Sequence, residues 1–121
     1  MARSRKVALL IETSNAYARG LLHGIDVYVR EHEPWFFYLA EHSRGDRAPS
    51  WLPTWDGHGV IARVENKAIA QTLARMKIPV VDVSAAVLLP TLPFVETHDV
   101  EVARLAADHF FGRGFRKFAY C

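Results

Sequence analysis

Val7-Ala8-Leu9-Leu10-Ile11-Glu12-Thr13-Ser14-Asn15 is the stretch that decides the fold. Five consecutive apolar residues run straight into a carboxylate, two hydroxyls and an amide. A strand that is apolar at every position has no polar face to give to water. It must be covered on both sides, as a central strand of a parallel sheet is. Thr13-Ser14-Asn15 supplies the residue types of a turn and a helix cap. Leu21, Leu22, Ile25, Tyr28 and Val29 then recur at three- and four-residue spacing, which predicts an amphipathic helix to about His32. Pro34 stops it.

The same alternation continues outward. Trp35 to Ala40 is aromatic and extended in character, a second strand. His42 to Pro49 is a polar loop, and Trp51-Leu52-Pro53-Thr54-Trp55 reads as an anchored turn whose two indoles pack on the core. After the Asp56-Gly57-His58-Gly59 turn, Gly59 to Ala62 is a third strand ending at Arg63. Ala68, Ile69, Thr72, Leu73 and Met76 mark a second helix. Ile78 to Val83 is a fourth strand, with Pro79 near its start, where a missing N–H does least harm. An apolar connection from Ala85 to Pro93 leads to a short strand, Phe94-Val95-Glu96, and then Thr97-His98-Asp99. Val102, Leu105, Ala106, His109 and Phe110 mark a third helix, closed by Gly112 and Gly114. Phe115 to Cys121 reads as a further strand. Strands alternating with helices predict an α/β domain, a three-layer, doubly wound, mostly parallel sheet. No internal repeat, low-complexity linker or helix-turn-helix pattern interrupts it. A last strand with no helix after it is the ending expected of a fragment.

The chain has 121 residues, 50% hydrophobic and 23% charged, enough for one folded domain and a real core. Fifteen Lys and Arg against 13 Asp and Glu leave a formal charge of +2, too balanced for a grip on nucleic acid by bulk charge. A single cysteine, Cys121, allows no internal disulfide and no cysteine cage for zinc. The apolar runs are broken by Glu12, Pro90 and Pro93, well short of the about 20 residues that cross a bilayer. The run after the basic residues Arg3, Arg5 and Lys6 is also too short for a signal peptide, which needs roughly 7–15 apolar residues. The expectation is a cytoplasmic protein, with a basic tail over residues 1–6 and one folded unit over 7–121.

Ligands of open parallel sheets bind outside the carboxyl ends of the strands. The residues there are Glu12, Asn15, Tyr17 and Arg19 after the first strand and Arg63 after the third. Asp82 and Ser84 follow the fourth, and Thr97, His98 and Asp99 the fifth. A guanidinium donates to two adjacent hydroxyls, a carboxylate accepts from two, and a tyrosine ring lies against an apolar sugar face. Each residue taken singly is also an ordinary loop or capping residue, Thr13, Ser14 and Asp99 above all. Enzyme signatures are missing: no glycine-rich phosphate loop follows the first strand, and there is no nucleophile elbow or metalloprotease helix. No two of the six histidines have metal-pair spacing with a carboxylate on the same helix face. Neither a catalytic residue, nor a metal, nor a cofactor is expected.

The stretches Ser14 to Ile25, Asp56 to Arg63, Ile78 to Ser84 and Thr97 to Tyr120 together resemble the effector-binding domain of LacI/GalR-type bacterial regulators. That domain has a periplasmic-binding-protein-like fold of type I, and the likeness covers its amino-terminal lobe from about Lys6 to Cys121. Ala16-Tyr17-x-Arg19 and Gly59-Val60-Ile61-Ala62 are most similar to the xylose-responsive branch. There the sensor precedes a carboxy-terminal AraC-type DNA-binding domain, and nothing resembling a DNA-binding headpiece stands before Val7. The resemblance implies a lobe that binds a pentose sugar, xylose, and works in a homodimer. DNA would be contacted through a domain outside this chain, and no membrane would be involved. It places the ten residues named above on the sugar cleft. The sequence departs from the commoner repressors after strand five, where His98-Asp99 stands in place of Asp-Asn. A transport-type sugar-binding protein and a flavodoxin-like enzyme domain are the competing readings. The missing signal peptide weighs against the first and the missing phosphate loop against the second.

Overall fold

The computed structural model describes residues 4–43 and 45–121. The run that reads as a buried strand is one: β1 (Arg5–Leu10) lies in the middle of a four-stranded sheet. It begins two residues earlier than expected, because the backbone of Arg5 and Lys6 already pairs with the next strand. The basic cluster is therefore partly strand, while Arg3 lies outside the described residues. The other strands are β2 (Trp35–Leu39), β3 (Gly59–Ala62) and β4 (Val80–Asp82), in the order β2-β1-β3-β4 and all parallel. Val7, Ala8 and Leu9 pair with Phe37, Tyr38 and Leu39 on one side and with Gly59, Val60 and Ile61 on the other.

Strand alternation divides the core into two. On one face, Ala8, Leu10, Val60, Ala62 and Val80 meet Ile69, Ala70 and Leu73 of α2 (Lys67–Arg75), with Leu52 of a short 3-10 turn (Leu52–Thr54). On the other, Ile11, Ile61, Val81 and Val83 meet Ala18, Leu21, Leu22 and Ile25 of α1 (Ala16–Glu31). Helices on both faces make the expected three-layer, doubly wound architecture. Both helices start on asparagine caps. The Asn15 side chain accepts from the Ala18 N–H at 2.8 Å, and that of Asn66 from the Ile69 N–H at 2.9 Å.

β2 is the exposed edge, with Phe36 67% accessible. Its Tyr38 ring meets Trp51 edge-on at 4.7 Å between centroids, and Trp51 and Trp55 pack on the α2-side core as expected. A Cβ at Gly57 would stand 2.3 Å from the Trp55 ring, so only glycine fits there.

Two expected strands are absent or reduced. The fifth shrinks to one parallel bridge between Asp82 and Phe94. β4 stops at Asp82, where the chain turns onto that residue's own side chain, and Pro93 has no N–H to extend the ladder. Phe115 to Cys121 forms no strand, because among the described residues no strand lies beside it to take its backbone hydrogen bonds. Its Phe118 ring packs on Phe110 and Phe111 of α3 (Asp99–Gly112) instead, at 5.6 and 5.1 Å. Gly114 closes α3 at φ 88°, a conformation that favours glycine. α3 buries no residue.

Leu52→Ala, at a fully buried position, is expected to cost about 2–5 kcal/mol in urea unfolding. Leu105→Ala on α3 is expected to stay within about 0.5 kcal/mol of the parent chain.

Candidate functional site

β1 passes through α1 to β2 on one side, and β3 lies against its other side, so the strand order reverses between β1 and β3. At such a reversal the two connecting loops part and leave a crevice beyond the strand ends. The side chains that enter it come from the residues directly after the two strands. Arg63 donates from one terminal nitrogen to Glu12 at 2.9 Å and from the other to Glu65 at 2.9 Å. The Glu12 side chain is only 4% exposed and that of Arg63 15%. Removing both charges from water is costly and is offset only when further hydrogen bonds complete the pair. They do so here: the Asn15 side-chain amide donates to Glu12 at 2.5 Å, and the Ser14 hydroxyl lies 3.4 Å from its second oxygen. Asn15 thus caps α1 with its oxygen and fixes Glu12 with its nitrogen.

The Tyr17 ring covers the guanidinium, with the Arg63 Cζ 5.1 Å from the ring centroid, a cation–π contact. Tyr17 itself is half exposed. Arg19 reaches back one turn and donates to the Thr13 carbonyl at 3.1 Å, pinning the loop after β1. The Nε of Arg63 is buried and has no hydrogen-bond partner among the described residues. The cluster thus combines carboxylate oxygens, an arginine fork and a half-exposed aromatic ring. This donor and acceptor mixture suits a polyhydroxylated ligand.

Asp82 and Ser84 stand next to this cluster in a different capacity. The Asp82 Oδ1 accepts from the N–H groups of Val64 at 3.2 Å and Ser84 at 2.8 Å, and the Ser84 hydroxyl donates to the Val64 carbonyl at 3.1 Å. Together they hold both polar groups of the residue that follows Arg63, and so set where Arg63 begins. The Asp82 Oδ2 is buried and unpartnered among the described residues. Thr97, His98 and Asp99 form a third group. The Thr97 hydroxyl donates to Asp99 at 3.0 Å, and the His98 ring accepts from the Glu101 N–H at 3.2 Å, capping α3. No hydrogen bond or ion pair among the described residues joins this group to the Glu12–Arg63 cluster. Of the ten residues singled out in the sequence, the fold thus gathers Glu12, Asn15, Tyr17, Arg19 and Arg63 around the crevice. Glu65 is an addition. Its signal was an acidic residue two positions after the strand-end arginine, in the same loop. Val87, in the connection after β4, adopts φ 47°, a strained conformation for a β-branched residue and worth about 1–3 kcal/mol.

Residues 6–100 match the model of the XylR N-terminal domain family. The chain belongs to that family. Curated relatives include the xylose operon regulatory proteins of Escherichia coli K12, O6:H1 and O157:H7, each 27% identical over 125 aligned residues. The alignment covers 98% of this chain and 31% of each relative, so the chain spans about a third of their length. No solved structure matches. The match agrees with the resemblance carried by Ser14 to Ile25 and Asp56 to Arg63, and its relatives are regulators rather than enzymes. Among the described residues no helix is long and apolar enough to cross a membrane, and no group of three or more His, Cys, Asp or Glu is placed to hold a metal ion.

Arg63→Met leaves Glu12 buried without its cation and is expected to cost about 3–5 kcal/mol in urea unfolding. Glu12→Met with Arg63→Met removes both charges and is expected to recover most of that loss. A double variant as unstable as the single one would show that the two side chains are not energetically coupled.

Proposed function

We propose that this chain is the sugar-sensing lobe of a cytoplasmic transcription regulator whose effector is a pentose, xylose. The observation that carries the reading is the Arg63 guanidinium held between Glu12 and Glu65 beneath Tyr17, in a crevice at the strand reversal. Membership of the XylR N-terminal domain family supports it. In this reading Glu12 accepts hydrogen bonds from sugar hydroxyls and Arg63 donates to ring or hydroxyl oxygens. Tyr17 lies against the C–H face of the sugar, a contact aromatic rings make through their apolar faces. Asn15 and Arg19 keep the loop after β1 in place. Asp82 and Ser84 fix the loop that carries Arg63 from beneath the site. Thr97, His98 and Asp99 make the outer rim.

The lobe works by binding and needs no cofactor. A sugar can shift a regulator only by its differential affinity for two conformations. Closing over the crevice would raise affinity, and the shifted population would reposition DNA-binding domains in a homodimer. Contact with DNA is assigned to a part of the regulator outside these residues. The relatives' threefold greater length leaves room for it.

Thermal unfolding of the full-length polypeptide tests the reading, because a ligand that binds only the folded state raises the melting temperature with its concentration. D-xylose is expected to raise it, and D-glucose, with its extra hydroxymethyl group, to raise it far less. Tyr17→Ala, at a half-exposed position, is expected to keep the fold and weaken xylose binding about tenfold. No shift with any pentose or hexose would overturn the assignment.

A further inference from the structure

α2 leaves the crevice end of β3 and delivers the chain to the start of β4, so its last turn lies at the opposite end of the sheet from Arg63. There it borders a cleft of about 300 Å³, at the small end of the range for ligand sites. Pro53, Trp55, Met76 and Ile78 give it apolar lining, and Arg75 and Lys77 line it with exposed cationic side chains.

Three features give this cleft a definite chemistry. The first is a rigid aromatic wall. The Trp55 Nε1 donates to the Gly59 carbonyl at 3.3 Å, and the ring is flanked by Tyr38 and Trp51 at 5.5 and 5.8 Å. Gly57 sits so close that no side chain could replace its hydrogen. The indole is therefore set before any ligand arrives, which lowers the ordering cost of binding. Met76, whose flexible thioether adapts to a ring edge, also lines the cleft. The second is the charge. Among the described residues the Arg75 and Lys77 side chains make no hydrogen bond or ion pair, and no carboxylate lines the cleft. The third is the shortage of acceptors. The only side-chain oxygen among the lining residues is the Thr72 hydroxyl, which gives its hydrogen to the Ala68 carbonyl at 3.1 Å. A sugar, whose hydroxyls donate as well as accept, is poorly served by walls that offer cationic donors and no carboxylate. A flat apolar body with an anionic end is matched at both ends.

We propose that this cleft is a second binding site, for a small planar aromatic carboxylate. Its ring lies against Trp55, and its carboxylate lies between Arg75 and Lys77. The site is independent of the sugar reading: it uses other residues at the other end of the sheet.

Benzoate is the probe, titrated into the isotope-labelled chain without sugar and followed by the indole N–H and backbone N–H signals in nuclear magnetic resonance spectra. The Trp55 indole signal and the amides from Arg75 to Ile78 are expected to move saturably, with a dissociation constant of about 1 mM, while Trp35 stays still. Benzyl alcohol, which keeps the ring and loses the charge, is expected to bind about tenfold more weakly. Arg75→Gln with Lys77→Gln, both on exposed side chains, is expected to leave the unfolding midpoint in place and weaken benzoate about tenfold or more. Three results would each overturn the proposal. One is no saturable shift. Another is equal shifts on the apolar edge from Phe36 to Leu39. The last is unchanged affinity in the double variant, which would leave the two cations with only their complement to the helix C-terminus.

Discussion

β1 is the constraint on which the rest of the molecule depends. It pairs with a parallel neighbour on each side, and each of its faces is covered by a different helix. From Val7 to Ile11 every side chain is buried. Parallel neighbours need crossovers, and crossovers of one hand place helices on opposite faces when the chain moves to opposite sides of a strand. A central strand buried from Val7 onward thus fixes the layers and fixes where the strand order reverses. The crevice is a consequence of that reversal.

The ion pair at the crevice is expensive to maintain. Hydrophobic side chains of similar volume would hold the same loops at equal or lower cost. Glu12 and Arg63 are instead kept nearly dry and tied to Asn15, Glu65 and the Tyr17 ring, with the Asp82–Ser84 clamp fixing the residue after Arg63. Their directions are set by these contacts. Prealigned polar groups in a crevice are where binding energy can be turned into a change of population between two conformations.

Much of this was legible in the sequence, and the exceptions have physical causes. The helices were marked by spacing and caps, and α1 and α2 begin on asparagines whose side chains do the capping. The Gly59–Ala62 strand kept its bounds because both its neighbours, β1 and β4, are present. The strand expected at Phe94–Glu96 shrank to one bridge because its neighbour β4 ends at Asp82, and the one expected at Phe115–Cys121 has no neighbouring strand among the described residues. β-propensity records fit to a pleated surface, and a strand without a partner ladder has none. The start of β1 was misjudged because Arg5 and Lys6 contribute backbone to the ladder whatever their side chains prefer.

Residue order alone specifies the alternation of strands and helices, the buried central strand and the set of polar residues that follow the strands. These are local or periodic properties, carried by side-chain polarity at fixed spacing. Which of those polar residues meet was decided only by the tertiary structure. Glu12 and Arg63 are 51 positions apart and come together because β1 and β3 are adjacent in register. Asp82 turned out to hold the backbone of Val64, and His98 to cap α3, because pairing in space depends on strand order rather than on residue type. Glu65 acquired its role in the same way, through a contact with Arg63 that spacing alone does not specify.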